Sequence, residues 1–213
     1  MKHLMKKAIA VLALAITPVV ANADLGFIQA VSSFASKQYP YHASKQPLQR
    51  IGSAIAKYAD VKGISRTLLT AVISKESSFK ALARSPSGAM GLTQVVPRWH
   101  QDKIKGRNIL DIENNVEVGA TILKNCLDKA KGNEQQALRC YCGYRGVAGV
   151  KYANMVIAEK NRFESFKMNN FKLPDNNPTV IAKDYQAMDE LIAELSVKYQ
   201  LKTEYDVLAV AAN

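Results

Sequence analysis

Residues 64–80, ISRTLLTAVISKESSFK, write one amphipathic helix with a single residue out of place. Ser65 is a good N-cap, because its hydroxyl can take a backbone N–H that the first turn leaves unpaired. Ile64, Leu68 and Val72 then step by four, Leu69 and Ile73 flank the same stripe, and the next step lands on Glu76. A carboxylate thus occupies a position where the 3.6-residue period asks for an aliphatic side chain. Burial raises a carboxyl pKa, and the C-terminal end of a helix also disfavours negative charge. Both effects would keep Glu76 protonated towards neutral pH, which suits a general acid. Taken alone, a helical glutamate beside Lys75 and Lys80 is more often a solvated boundary residue. The surroundings have to decide.

Working outward, helical signals dominate. Leu48, Ile51, Ile55 and Tyr58 recur at helical spacing after Pro47 and stop at Gly63. Val116, Ala120, Leu123 and Leu127 form another stripe that ends near Gly132. Asn133 can cap a helix running to about Tyr144, and a further helix covers 147–163. Few segments alternate with a strand period, so the expected class is mainly α. Residues 168–179 read as a linker. Asn177-Pro178 then opens a last helix, with Ile181, Tyr185, Met188, Ile192, Leu195 and Tyr199 on a short heptad seam. An appendix packed on the domain is favoured for it over a partner-binding helix.

Met1–Lys7 carries Lys2, Lys6 and Lys7 and no acid, followed by an apolar run from Ala8 to Ile16 and by Ala21-Asn22-Ala23. This is the pattern of a secretory signal peptide cleaved after Ala23. The run falls short of the roughly 20 residues that span a bilayer, so stable membrane insertion is not expected. The expected organisation is a signal peptide over 1–23, an N-terminal segment over 24–47, one globular helical domain over 48–163, and a linker with an amphipathic helix over 164–213. The mature chain should be exported, with the periplasm as its expected location.

The net charge is +11, and its excess sits in residues 24–159, which hold nineteen bases against ten acids. A basic body suits an anionic polymer. Export argues against nucleic acid and favours a cell-wall polymer bearing stem-peptide carboxylates. The histidines His3, His42 and His100 are scattered, and the three cysteines alone are too few for a metal site. No metal or organic cofactor is expected. Outside the cytoplasm, one disulfide among Cys126, Cys140 and Cys142 is the natural expectation.

Twelve residues after Glu76, Gly88-Ala89-Met90-Gly91-Leu92-Thr93-Gln94 sets two glycines around a short turn, where backbone can approach a substrate closely. Gln94 offers both a donor and an acceptor for sugar hydroxyls or N-acetyl groups. Cys140-Tyr141-Cys142-Gly143-Tyr144 places an aromatic hydroxyl on a helix.

With these pieces in order, the chain over about 48–160 resembles the soluble lytic transglycosylase family and its catalytic domain, within the α+β lysozyme-like superfamily. Glu76-Ser77 matches that family's Glu-Ser pair. Gly91-Leu92-Thr93-Gln94 matches its Gly-Leu-Met-Gln signature, and Asn115-Val116-Glu117-Val118-Gly119 its Asn-x-x-x-Gly stretch. Cys140-Tyr141-Cys142 falls on its Ala-Tyr-Asn motif. Two departures stand out: Thr93 replaces a Met and Cys142 replaces an Asn. The second makes Cys142 the candidate free thiol and leaves Cys126 and Cys140 as the candidate disulfide across the Gly132 turn. A Cys140–Cys142 bridge is the least favoured pairing, since residues two apart on a helix diverge.

The resemblance implies a peptidoglycan lytic transglycosylase. Glu76 would protonate the β-1,4 oxygen between N-acetylmuramic acid and N-acetylglucosamine, and would then act as base while a 1,6-anhydro ring closes. Ser77, Met90, Gly91, Gln94 and Tyr141 are the expected substrate-side residues, with Tyr141 best placed to hydrogen-bond near Glu76. A hydrolytic lysozyme needs a second carboxylate, for which Asp102, Asp111 and Glu113 are the weak candidates. A catalytically impaired wall-binding protein is the other alternative. The process served, wall turnover or the opening of the wall for a secretion, conjugation or pilus apparatus, is not written in these motifs.

Overall fold

The computed structural model describes residues 24–171. The expected signal peptide and the C-terminal amphipathic helix lie outside the described residues, as does the linker beyond Phe171. The remainder is mainly α: α1 over 24–38, α2 (Pro40–Ala43), α3 (Leu48–Lys62), α4 (Arg66–Ser77), α5 (Gln101–Ile104), α6 (Ile112–Lys129), α7 (Glu134–Cys142) and α8 (Gly146–Asn170). A single 3-10 turn, Pro97–Trp99, precedes α5.

Local chemistry sets most of the boundaries. Ser65 accepts from the Leu68 N–H at 3.2 Å, Asp111 from Asn114 at 3.1 Å and Asn133 from Gln136 at 2.9 Å, which caps α4, α6 and α7. Gly63 ends α3 in the left-handed conformation that glycine adopts without strain. Helix α7 stops at Cys142, two residues short of the expected Tyr144, because Gly143 turns left-handed there. Helix α8 runs to Asn170 rather than Phe163, since its apolar side continues through Phe166.

Helix α4 is the centre of the core: every side chain from Thr67 to Ser74 is buried, between α3 on one side and α8 on the other. The segment 24–47, set apart from the domain by sequence, belongs to the same core. Phe27 and Phe34 of α1 meet Phe163 edge-on, at 6.1 Å and 5.1 Å between ring centroids, and Phe34 also meets Phe166 at 5.5 Å. A second, smaller apolar cluster (Val95, Ile104, Ile109, Val118 and Ile122) supports the loop between α4 and α6. Cys126 and Cys140 are bridged, joining α6 to α7, and Cys142 is the free cysteine. Closing a loop of this size stabilises a fold by about 3 kcal/mol. No helix among the described residues is long and apolar enough to cross a membrane.

Candidate active site

Glu76 sits in the last turn of α4, half-buried. The chain leaves that helix through two successive left-handed residues that are not glycine, Ser78 (φ 51°) and Phe79 (φ 61°). Such strain persists only where the surroundings impose it. Here the Phe79 ring is wholly buried and packs 6.1 Å from Tyr39, centroid to centroid. The reversal directs the chain from Glu76 into the loop that carries the glycine-bracketed turn.

The Glu76 carboxyl accepts a hydrogen bond from the Tyr152 hydroxyl of α8, at 2.5 Å. Burial raises its pKa and is the larger effect; the Tyr152 hydrogen bond pulls the other way by favouring the charged form. Tyr152 itself is pushed well above the usual phenol range, first by burial and then by the Glu76 charge. Burial and the same charge raise Tyr141. Both phenols therefore hold their protons at any working pH, and Tyr152 serves Glu76 only as a donor. Burial also raises the Cys142 thiol, so Cys142 is a neutral group beside this cluster.

The glycine-bracketed turn is built on α6. Met90 exchanges backbone hydrogen bonds with Val95, at 2.9 Å and 3.1 Å, and forms an isolated bridge with Arg84. Asn115, buried in the first turns of α6, spends its whole amide on this loop. Its Nδ2 donates to the Met90 and Ile109 carbonyls, both at 2.9 Å, while its Oδ1 accepts from the Thr93 N–H at 2.8 Å and from the Thr93 hydroxyl at 2.8 Å. Each such bond contributes about 1 kcal/mol net, and an orphaned partner costs more.

Two glycines make the approach possible. A Cβ on Gly91, which has φ +76°, would lie 2.1 Å from Asn115 Nδ2, and one on Gly119 would lie 2.4 Å from Thr93. Asn115 and Gly119 stand one helical turn apart and present one face to the turn. Thr93, standing where the family signature has Met, is buried in this contact.

The residues singled out by sequence are distributed as follows. Glu76 and Tyr141 come together, as Tyr141 was expected to hydrogen-bond near Glu76. The Tyr141 hydroxyl donates to the Thr93 carbonyl at 2.7 Å, tying α7 to the turn. The donor to Glu76 is Tyr152, which sequence reasoning missed. Its signal was the spacing Tyr152, Val156, Phe163 on the buried stripe of α8, an aromatic hydroxyl on a face that otherwise packs.

Ser77 is buried, with its hydroxyl bonded back to the Ile73 carbonyl at 3.1 Å, so that hydroxyl serves α4. Gly91 is likewise buried, and its lack of a side chain accommodates Asn115. Met90 is half-buried against the second cluster. Gln94, at φ 49°, donates its amide to the Gly91 carbonyl at 2.9 Å, and its Oε1 makes no hydrogen bond among the described residues.

The acids considered as second carboxylates are engaged elsewhere. Asp102 pairs with Lys103 at 2.8 Å, while Asp111 caps α6 and, with Glu113, pairs with Arg50. Among the described residues, no cluster of three or more His, Cys, Asp or Glu side chains is placed to hold a metal ion.

Comparison with known proteins gives the same picture. The family model of the transglycosylase SLT domain matches residues 53–160. Membrane-bound lytic murein transglycosylase C from Yersinia pestis and from Yersinia pseudotuberculosis are each 32% identical over 137 residues, with 56% of this chain and 37% of theirs covered. The chain thus spans little more than a third of the length of these relatives. The backbone is similar to a 70-kDa soluble lytic transglycosylase solved in complex with bulgecin A (TM-score 0.54, 17% identity, 68% of this chain and 31% of that one). It is also similar to lytic transglycosylase Slt from Pseudomonas aeruginosa, solved as an inactive Glu-to-Gln mutant (TM-score 0.50, 18% identity, 56% and 24% covered). At such identities the structural likeness concerns the fold alone. The family model, which covers half of the chain and spans both Glu76 and the turn built on Asn115, settles the matter: the chain belongs to the transglycosylase SLT domain family.

Proposed function

We propose that this chain cleaves the β-1,4 bond between N-acetylmuramic acid and N-acetylglucosamine without consuming water, leaving 1,6-anhydromuramic acid ends, with Glu76 as both acid and base. The observation that carries this reading is the Glu76 environment: a desolvated carboxyl held by one neutral donor, Tyr152, while Asp102, Asp111 and Glu113 are bound up elsewhere.

Desolvation keeps the Glu76 proton on at a pH where an exposed glutamate has lost it, so the carboxyl can protonate the leaving glycosidic oxygen. The resulting carboxylate keeps the Tyr152 hydrogen bond, which stabilises it until it takes the proton of the sugar's C6 hydroxyl as the anhydro ring closes. A hydrolase of this bond would place a second carboxylate to activate water or to attack the anomeric carbon. Gln94, through its Oε1, and the Met90 side chain are the groups of the turn left to meet the glycan. Tyr141 holds that turn in place. Peptidoglycan is then the partner, reached by export to the periplasm.

The experiment is digestion of purified peptidoglycan by the wild type and by Glu76→Gln, with the products read by mass spectrometry. Anhydro ends from the wild type and none from the variant are expected. Reducing ends alone would make the protein a lysozyme, and an active Glu76→Gln would remove Glu76 from the mechanism. The P. aeruginosa neighbour, inactive as a Glu-to-Gln mutant, gives the choice of substitution a precedent.

A further inference from the structure

A second glutamate breaks an apolar stripe, deep in the seam between α4 and α8. On α8 the buried positions Ala153, Val156 and Phe163 face the core, and Glu159 lies among them with no exposed surface. Its Oε1 accepts from the Ser74 hydroxyl of α4 at 2.6 Å, and its Oε2 pairs with Arg162 at 2.5 Å. The Ser74 hydroxyl also meets the Tyr39 hydroxyl at 3.0 Å, and Arg162 donates to Gln38 at 3.0 Å. An aliphatic side chain there would cost nothing in desolvation, and exchanging a buried ion pair for apolar side chains is often neutral or stabilising. Stability alone does not account for this residue.

Among the described residues, two side-chain hydrogen bonds join α4 to α8: Ser74 to Glu159, and Tyr152 to Glu76. Tyr152 and Glu159 are two turns apart on α8, while Ser74 and Glu76 share the last turns of α4. We propose that Glu159 is a positioning residue for the reaction, its bond to Ser74 fixing the register in which α8 delivers the Tyr152 hydroxyl to Glu76.

The apolar contacts of the seam are non-directional and tolerate small slides. A slip of one residue along α8 moves its side chains by about 1.5 Å, enough to break a hydrogen bond of ordinary length. Two bonds two turns apart remove that freedom, and the one at Glu159 lies outside the chemistry. It can therefore hold the register while Glu76 gains and loses its proton. The role rests on the proposed function for its consequence in catalysis, but its effect on the Glu76 carboxyl does not.

The test uses Glu159→Met, which keeps length and apolar fill while removing the acceptor, with Glu159→Gln as the conservative variant that retains one. The other titratable groups facing Glu76 are Tyr152 on α8 and Tyr141 and Cys142 at the end of α7, and they are unchanged in both.

Glu159→Met is expected to melt near the wild type and to lose up to about 100-fold in kcat at nearly unchanged KM, the size of effect that a misplacement of about 1 Å can produce. The Glu76 carboxyl, followed by carbon-13 NMR titration, should shift to higher pH as it loses the Tyr152 donor, and the alkaline limb of the pH profile should follow. Glu159→Gln should restore both. Unchanged kcat and an unchanged Glu76 titration in Glu159→Met would overturn the proposal. If Glu159→Met does not fold, Ser74→Ala removes the same bond from the α4 side, and its Glu76 titration decides in the same way. A wild type without wall-cleaving activity would sink the proposed function instead, while the NMR titration would still test the register.

Discussion

Glu76 and Glu159 both stand where a helical stripe asks for an aliphatic side chain, and the fold treats them in opposite ways. Glu159 is the more deeply buried, yet both of its oxygens are taken, by Ser74 and by Arg162. Glu76 is only half-buried, but its sole hydrogen-bond partner among the described residues is a neutral phenol. Burial by itself does not make a working acid. A desolvated carboxyl keeps its proton when no cation compensates its charge, and Glu76 is the one left in that state. The pairing of Glu159 lets a carboxyl sit in the core, whereas Glu76 has only the Tyr152 phenol beside it among the described residues.

The largest effect that could break this contrast is on activity. Glu76→Gln keeps the size and the Tyr152 contact but carries no transferable proton. General acid catalysis is worth about 10²–10⁴-fold, so wall cleavage should fall by about that factor while the variant remains folded, as judged by circular dichroism. Wild-type cleavage by this variant would place the chemistry elsewhere.

Next in size is the conversion of Glu159 into a second unpaired carboxyl. Arg162→Ala leaves it buried with Ser74 as partner and no cation. Breaking a buried pair is strongly destabilising, but the Arg162 side chain is half-exposed and water compensates part of the loss. A loss of about 2 kcal/mol is expected from chemical denaturation. Wild-type stability in Arg162→Ala would show that the pair with Arg162 does not hold Glu159 in the core.

Tyr152→Phe sharpens the other side of the comparison. It removes the single donor to Glu76 with little change in packing. The carboxyl should titrate at higher pH, because the hydrogen bond that favours its charged form is gone. Activity should drop by about tenfold, with the alkaline limb of the pH profile moved upward. A limb that stays in place would mean that Tyr152 does not touch the ionisation of Glu76.

How far these features were legible in the sequence depends on how local their causes are. Caps are local, so Ser65, Asn133 and Gly63 mark the ends of α4, α7 and α3 as the chain is read. The misfit of Glu76 is nearly local, since period and position on one helix reveal it. What a side chain meets across the core is not local. Tyr141 reads as the neighbour of Glu76, and it is near, but its hydroxyl goes to the Thr93 carbonyl while Tyr152, on a later helix, takes the carboxyl. Gly91 reads as room for a substrate, and its open side is filled by Asn115 from α6. Glu159 presents the same break in pattern as Glu76, but no motif surrounds it to single it out. Helix α1 is not legible as core for a related reason: Phe27 and Phe34 gain their meaning only against Phe163 and Phe166 of α8.

The smallest effect separates the two carboxyls by the sign of a pH dependence. The folded-state pKa of Glu76 is raised above the ordinary value of 4.5 that it regains on unfolding. Between those two values the folded chain binds a proton that the unfolded chain has released, so stability falls as pH rises through this window. Below about 4.5 both states are protonated and the contribution is complete. In Glu76→Gln there is no carboxyl to ionise, and this dependence disappears. The variant should therefore match the wild type in melting temperature at pH 4 and exceed it slightly at pH 8, the gain limited by the partial exposure of Glu76 and by the Tyr152 bond that already favours its charge. A variant that is less stable than the wild type at pH 8 would mean that the Glu76 carboxylate is stabilised by its surroundings, and would remove the physical ground for reading it as the acid.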